Sequence, residues 1–99
     1  MDIQVEELKD KLDAKEDFIL IDVREDYERA EFNIGGQHIP LGAIPVNMED
    51  LEDHKEDEIV VYCRSGNRSG QAVAYMQQLG FKNVRNLVGG MLEWNRRLG

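Results

Sequence analysis

Two short apolar runs, Phe18-Ile19-Leu20-Ile21 and Ile59-Val60-Val61-Tyr62, carry no polar residue at alternate positions. A strand with one face in water alternates apolar and polar side chains, so unbroken runs suit strands buried on both faces. Strands of that kind occur in parallel sheets covered by helices above and below. Both runs are far too short to cross a bilayer.

The segments around them have helical spacing. Val5, Leu8 and Leu12 form an i, i+3, i+7 stripe on a charged segment that follows Ile3-Gln4-Val5, a short first strand or lead-in. Residues 18–23 are the first long strand, ending at Asp22-Val23-Arg24. Residues 25–32 are expected to form a short charged helix with Tyr27 and Phe32 as its buried points, broken by Asn33-Ile34-Gly35-Gly36. His38-Ile39-Pro40 reads as a short strand, and Pro40 places it at an edge or a strand end. Asn47 is expected to cap a short acidic helix through Leu51, with Glu49 and Asp50 in its first turn. After the strand at 59–62, Gln71 to Leu79 puts Ala72, Val73, Met76 and Leu79 on one helix face, with Gly80 as the terminating residue. Val84 to Val88 is another strand, and Gly89-Gly90 opens a last helix with Met91, Trp94 and Leu98 on one side. Alternating strands and helices predict an α/β domain with a mostly parallel central sheet of about five short strands and helices on both faces.

Ninety-nine residues suit one domain, taken as residues 1–99. The N-terminal segment Met1-Asp2-Ile3-Gln4-Val5-Glu6-Glu7-Leu8 has neither the basic nor the apolar region of a secretory signal, so for a whole protein a cytoplasmic location is expected, an excised domain being the other reading. The net charge of −8 is unevenly spread. Residues 1–62 hold six Lys/Arg against nineteen Asp/Glu, and residues 63–99 hold six Arg/Lys against Glu93 alone. The acidic first part argues against nucleic acid and anionic membranes as partners. Its acidic runs, such as Glu49-Asp50-Leu51-Glu52-Asp53, read as solvated faces. The basic remainder suits a small anionic substrate.

Cys63 is the one cysteine of the chain. It lies at the end of the second apolar run, in Tyr62-Cys63-Arg64-Ser65-Gly66-Asn67-Arg68-Ser69. A single cysteine makes no internal disulfide and has no resolving thiol, so dithiol redox chemistry is not expected. A thiol between a strand end and a helix start meets unpaired N–H groups and the positive end of the helix dipole. Those groups and the two arginines favour the thiolate, which is the nucleophile. Gly66 lets the loop curl tightly, and Arg64 and Arg68 have the planar forks that bind oxyanions. Arg68 is also placed to tie the loop to a carboxylate such as Asp22 or Glu25, and both roles stay open. Asp22 and Arg24 read as a fold-supporting pair, His38 and His54 as structural or surface residues without metal-ligand spacing, and Met91 and Trp94 as core.

A loop of the Cys-x5-Arg type wraps a tetrahedral oxyanion, as in phosphatases. The arginine in this chain stands at the fifth position after Cys63, with Ser69 at the sixth. The shorter ring better suits a single sulfur atom. Cys63-Arg64-Ser65-Gly66-Asn67-Arg68-Ser69 resembles the active-site loop of the rhodanese-like sulfurtransferases. Leu20-Ile21-Asp22-Val23-Arg24-Glu25, His38-Ile39-Pro40, Leu79-Gly80-Phe81-Lys82-Asn83-Val84 and Leu87-Val88-Gly89-Gly90-Met91-Leu92-Glu93-Trp94 resemble further segments of that family in the same order. The family's Gly-His-Ile-Pro-Gly-Ala segment is lengthened here by Gln37 and Leu41. The resemblance implies a three-layer rhodanese-like fold and a persulfide mechanism without metal or organic cofactor. By that resemblance Cys63 takes the outer sulfur of thiosulfate or a similar small anionic donor and passes it to cyanide, a thiol or a protein thiol. Arg64 and Arg68 would orient the donor, and the loop of Ser65, Gly66, Asn67 and Ser69 would cradle the persulfide. A protein-to-protein sulfur relay and a phosphatase-like or binding domain are the alternatives.

Overall fold

A computed structural model describes residues 2–99; Met1, the first residue of the N-terminal segment read above, lies outside them. Its strands are β1 (Asp2–Ile3), β2 (Ile19–Asp22), β3 (Gln37–His38), β4 (Ile59–Tyr62) and β5 (Val84–Leu87). They form one sheet in the order β1-β5-β4-β2-β3, and every pairing is parallel. The two apolar runs thus lie side by side at the sheet centre, with Ile19 opposite Ile59 and Asp22 opposite Tyr62. β3 lies at the sheet edge as expected, but it covers Gln37–His38 and ends before Ile39 and Pro40.

The apolar side chains of β4 divide between two cores because successive residues of a strand point to opposite faces. Ile59, Val61 and Cys63 join Ala72, Val73 and Met76 of α4 (Asn67–Gln78) and the short segment around Ile44, Met48 and Leu51. Val60 and Tyr62 join Val5 and Leu8 of α1 (Val5–Asp13) and Met91 and Trp94 of α5 (Gly90–Leu98). All four residues of β4 are fully buried. Leu79 and Leu98, expected on buried faces, lie at helix ends and are partly exposed.

α2 (Asp26–Glu31) departs from the expectation for its segment. It buries no side chain, and Tyr27 and Phe32 stand 71% and 46% exposed. Fewer than two turns cannot present a stripe to the sheet, and α2 is held by polar contacts instead. Glu25 and Glu28 close a capping box at its start, and Arg29 donates to the carbonyl of Gly36 at 2.8 Å. Asn47 likewise makes no cap: its amide donates to the carbonyl of Ala43 at 2.8 Å. It ends α3 (Ile44–Asn47), and the acidic run coils as a 3-10 helix over Met48–His54.

Candidate active site

Cys63 follows β4 directly, at the carboxyl end of the central strand. Ligand sites of open parallel sheets lie at such strand ends. The thiol is buried, and three donors converge on its sulfur. The N–H of Gly66 lies 3.1 Å from Sγ, the N–H of Ser69 3.3 Å and the Ser69 hydroxyl 3.2 Å. Asn67, Arg68 and Ser69 form the first turn of α4, where N–H groups have no partner within the helix. The loop residues expected to cradle a sulfur are therefore in part a helix end. Burial pushes the Cys63 thiol up, but the Ser69 hydroxyl and the amides of Ser69, Gly66 and Ser65 outweigh it and hold the group below its ordinary value.

Two glycines shape the loop. Gly66 precedes α4 with φ +101, a left-handed conformation that turns the chain back over the sulfur. Gly90 has φ +55, and a Cβ on it would run into the carbonyls of Cys63 and Arg64. That close approach lets the first turn of α5 grip the loop: the N–H groups of Met91 and Leu92 donate to the carbonyls of Cys63 and Arg64, each at 2.9 Å.

The two arginines differ in what they have left to offer. Arg68 gives both terminal nitrogens to Glu28 of α2, at 2.7 and 2.8 Å. That fork drives the Glu28 carboxyl down to about 2, against a smaller opposing effect of burial. The tether falls on Glu28 rather than on Asp22 or Glu25. The Arg64 side chain is exposed, and among the described residues its guanidinium has no hydrogen-bond or ion-pair partner. It faces an open cleft of about 240 Å³ walled by Tyr27, Glu31, Phe32, Met91 and Leu92.

Asp22 and Arg24 form the expected supporting pair. Asp22 is fully buried and accepts from Arg24 through its backbone N–H at 3.0 Å, Nε at 2.9 Å and a terminal nitrogen at 3.0 Å, and from Arg29 at 3.2 Å. Burial pushes its carboxyl up, but the Arg24 contacts prevail and keep it low. His38 bonds the carbonyl of Arg24 through Nε2 at 2.7 Å, and His54 pairs with Asp57 at 2.8 Å. Ser65 and Asn67 are exposed on the loop surface. Three residues at the site were not legible as such: Glu28, Gly90 and Asn86, whose side chain bonds the Ser69 hydroxyl and the Gly66 carbonyl. The polar Asn86 inside a strand was the available signal for the last, because strands are poor in Asn.

The rhodanese-like domain profile matches residues 4–97. The chain belongs to the rhodanese-like domain family. It is 47% identical to YtwF of Bacillus subtilis over 94 residues, covering 94% of this chain and 88% of that one. It is 40% identical to a sulfurtransferase of Allochromatium vinosum, covering 96% and 88% of the two chains. Among solved structures, a rhodanese-like domain protein of Staphylococcus aureus superposes with a TM-score of 0.84 at 32% identity, over 95% of this chain and 91% of that one. The five-stranded parallel sheet between helical layers is thus the rhodanese-like fold.

Proposed function

We propose that this rhodanese-like chain is a sulfurtransferase that carries a sulfane sulfur on Cys63. The observation that carries the reading is the convergence of three donors on one buried sulfur, at 3.1 to 3.3 Å. Such donors stabilise an anionic sulfur, whether thiolate or persulfide, without a metal or a general base. The Cys63 thiolate attacks the outer sulfur of thiosulfate; an S–S bond forms, the bond to the sulfonate sulfur breaks, and sulfite leaves with its electron pair. A thiolate or cyanide then attacks the outer sulfur of the persulfide, and the Cys63 thiolate departs. No external oxidant enters, and the two half-reactions give ping-pong kinetics. Arg64 is the donor-binding arginine, since its fork has no partner among the described residues and that of Arg68 is filled by Glu28. The amides of Ser65, Gly66 and Ser69 hold the charged sulfur, Asn67 opens the helix that presents them, and Arg68 ties that helix start to Glu28.

A protein acceptor is a second reading, favoured by the exposed Tyr27, Phe32 and Leu92 around the cleft beside Arg64. The phosphatase-like alternative finds no support: the loop is short, and the arginine it would need is committed to Glu28. The deciding experiment is intact mass spectrometry after incubation with thiosulfate. One added sulfur is expected, removed by cyanide and absent in Cys63→Ser. An unchanged wild-type mass under these conditions overturns the reading.

A further inference from the structure

Ser69 presents one hydroxyl proton to two acceptors. Its Oγ stands 3.2 Å from Cys63 Sγ and 2.5 Å from the side-chain oxygen of Asn86 on β5. A hydroxyl donates one hydrogen bond and accepts others. The Asn86 amide cannot turn away, because its Nδ2 donates to the carbonyl of Gly66 at 3.1 Å. Its oxygen is thereby fixed toward Ser69.

Two proton arrangements follow. With Cys63 protonated, the S–H points to Ser69 Oγ and the hydroxyl donates onward to Asn86. With Cys63 ionised, the sulfur becomes the charged acceptor, and charged acceptors hold a hydrogen bond more strongly than neutral ones. The hydroxyl then turns from Asn86 to the sulfur. We propose that Asn86 is a positioning residue for Cys63: its fixed oxygen competes with the sulfur for the Ser69 proton and so sets the balance between thiol and thiolate. The proposal deepens the sulfur-transfer reading and rests on it only for the turnover step.

The charged groups around the loop include Arg64 and Arg68 on the loop and helix start, Glu25, Glu28 and Glu31 at and on α2, and the Asp22–Arg24 pair at the end of β2. None of them bonds the Ser69 hydroxyl, whose hydrogen-bond contacts among the described residues are Cys63 and Asn86. Competition for that proton is therefore a property of the three side chains Cys63, Ser69 and Asn86.

The experiment is a thiolate titration by ultraviolet absorbance, in which one cysteine gives one signal. It compares wild type, Asn86→Ala, Ser69→Ala and the double variant. Asn86→Ala removes the competitor, and the thiolate fraction below the midpoint is expected to rise about threefold, the worth of one net hydrogen bond. Ser69→Ala lowers the fraction, and adding Asn86→Ala in that background is expected to change nothing. An equal change in both backgrounds, or no rise in Asn86→Ala, overturns the proposal, because an Asn86 that only anchors the Gly66 carbonyl acts whether or not the hydroxyl is present. If Asn86→Ala does not fold, Asn86→Asp serves. It keeps an oxygen opposite Ser69 and strengthens the competitor, so the thiolate fraction falls further with Ser69 present than in the Ser69→Ala background; equal falls overturn the proposal. The titration is read on the protein without donor, so its outcome is separate from persulfide loading, which the added-sulfur mass reports.

Discussion

Arg68 and Glu28 are forty residues apart in the chain and meet fork to fork, with two hydrogen bonds of 2.7 and 2.8 Å. The pair joins the start of α4 to α2, which has no apolar anchor of its own. A guanidinium bound this way has little left for a substrate. The proposed donor-binding role therefore falls to Arg64, and the two arginines should respond differently to removal.

Arg64→Ala is expected to raise the KM for thiosulfate about fivefold or more while kcat changes little, since a charge-assisted contact to a bound anion is lost. Raising the ionic strength should narrow the gap to wild type, because Arg64 is exposed and screened by salt. Arg68→Ala should instead lower stability and kcat together, by freeing α2 and leaving the Glu28 carboxylate half-buried without its partner. Steady-state kinetics at two salt concentrations, with a thermal melt of each variant, separate the two roles. Equal KM effects would remove Arg64 from donor binding.

The same pair makes a pH prediction. Glu28 has an ordinary value of 4.5 and stands at about 2 in the folded chain. A carboxyl lowered by folding contributes stability above its unfolded value, and that contribution is lost as pH falls toward the folded one. The Glu28 contribution is thus complete at pH 7 and disappears between about 4.5 and about 2. Glu28→Gln should be about 2 kcal/mol less stable than wild type at pH 7, the worth of a charge-assisted contact. Urea melts should then show the gap closing toward pH 2. A gap that stays constant over that range would mean the ion pair does not hold α2.

The sheet was legible because β2 and β4 sit at its centre and are buried on both faces, so β4 is an unbroken apolar run and β2 is one up to Asp22 at its end. Cys63 was legible because it follows one of those runs. The start of α4 was not: Asn67, Ser69 and Gly70 are weak helix formers, and their segment reads as loop. They are helical because the helix end has partners in the fold, the Cys63 sulfur among them. Tyr27 and Phe32 read as buried in the sequence because an aromatic residue on a short charged helix looks like an anchor. In the fold they line the open cleft next to Arg64. Glu28 and Asn86 act through partners forty and seventeen residues away in sequence, and no local pattern encodes such pairings.

Asp22 carries a prediction about stability alone. Its carboxylate is fully buried and accepts from both Arg24 and Arg29. Asp22→Asn keeps the shape, removes the charge and leaves the buried Arg24 guanidinium uncompensated, which costs about 3 kcal/mol. Urea denaturation should register that loss with an unchanged m-value. A loss under about 1 kcal/mol would mean that other groups, such as the Phe32 carbonyl 2.7 Å from Arg24, suffice to hold the arginine.

Gly90 links the backbone of α5 to the chemistry of Cys63. Its φ of +55 disfavours any side chain, and a Cβ would overlap the carbonyls of Cys63 and Arg64. Relief requires α5 to move away, which breaks the bonds from Met91 and Leu92 to those carbonyls. Gly90→Ala should therefore cost about 2 kcal/mol or more from backbone strain and lost contacts. Below the melting temperature of the variant, persulfide formation should fall further than stability alone explains, because the Cys63 carbonyl is the anchor of the loop. Gly42→Ala is the matched control: nothing lies within 4 Å of a Cβ there. Wild-type sulfur loading in folded Gly90→Ala would show that the grip of α5 supports the fold and not the sulfur site.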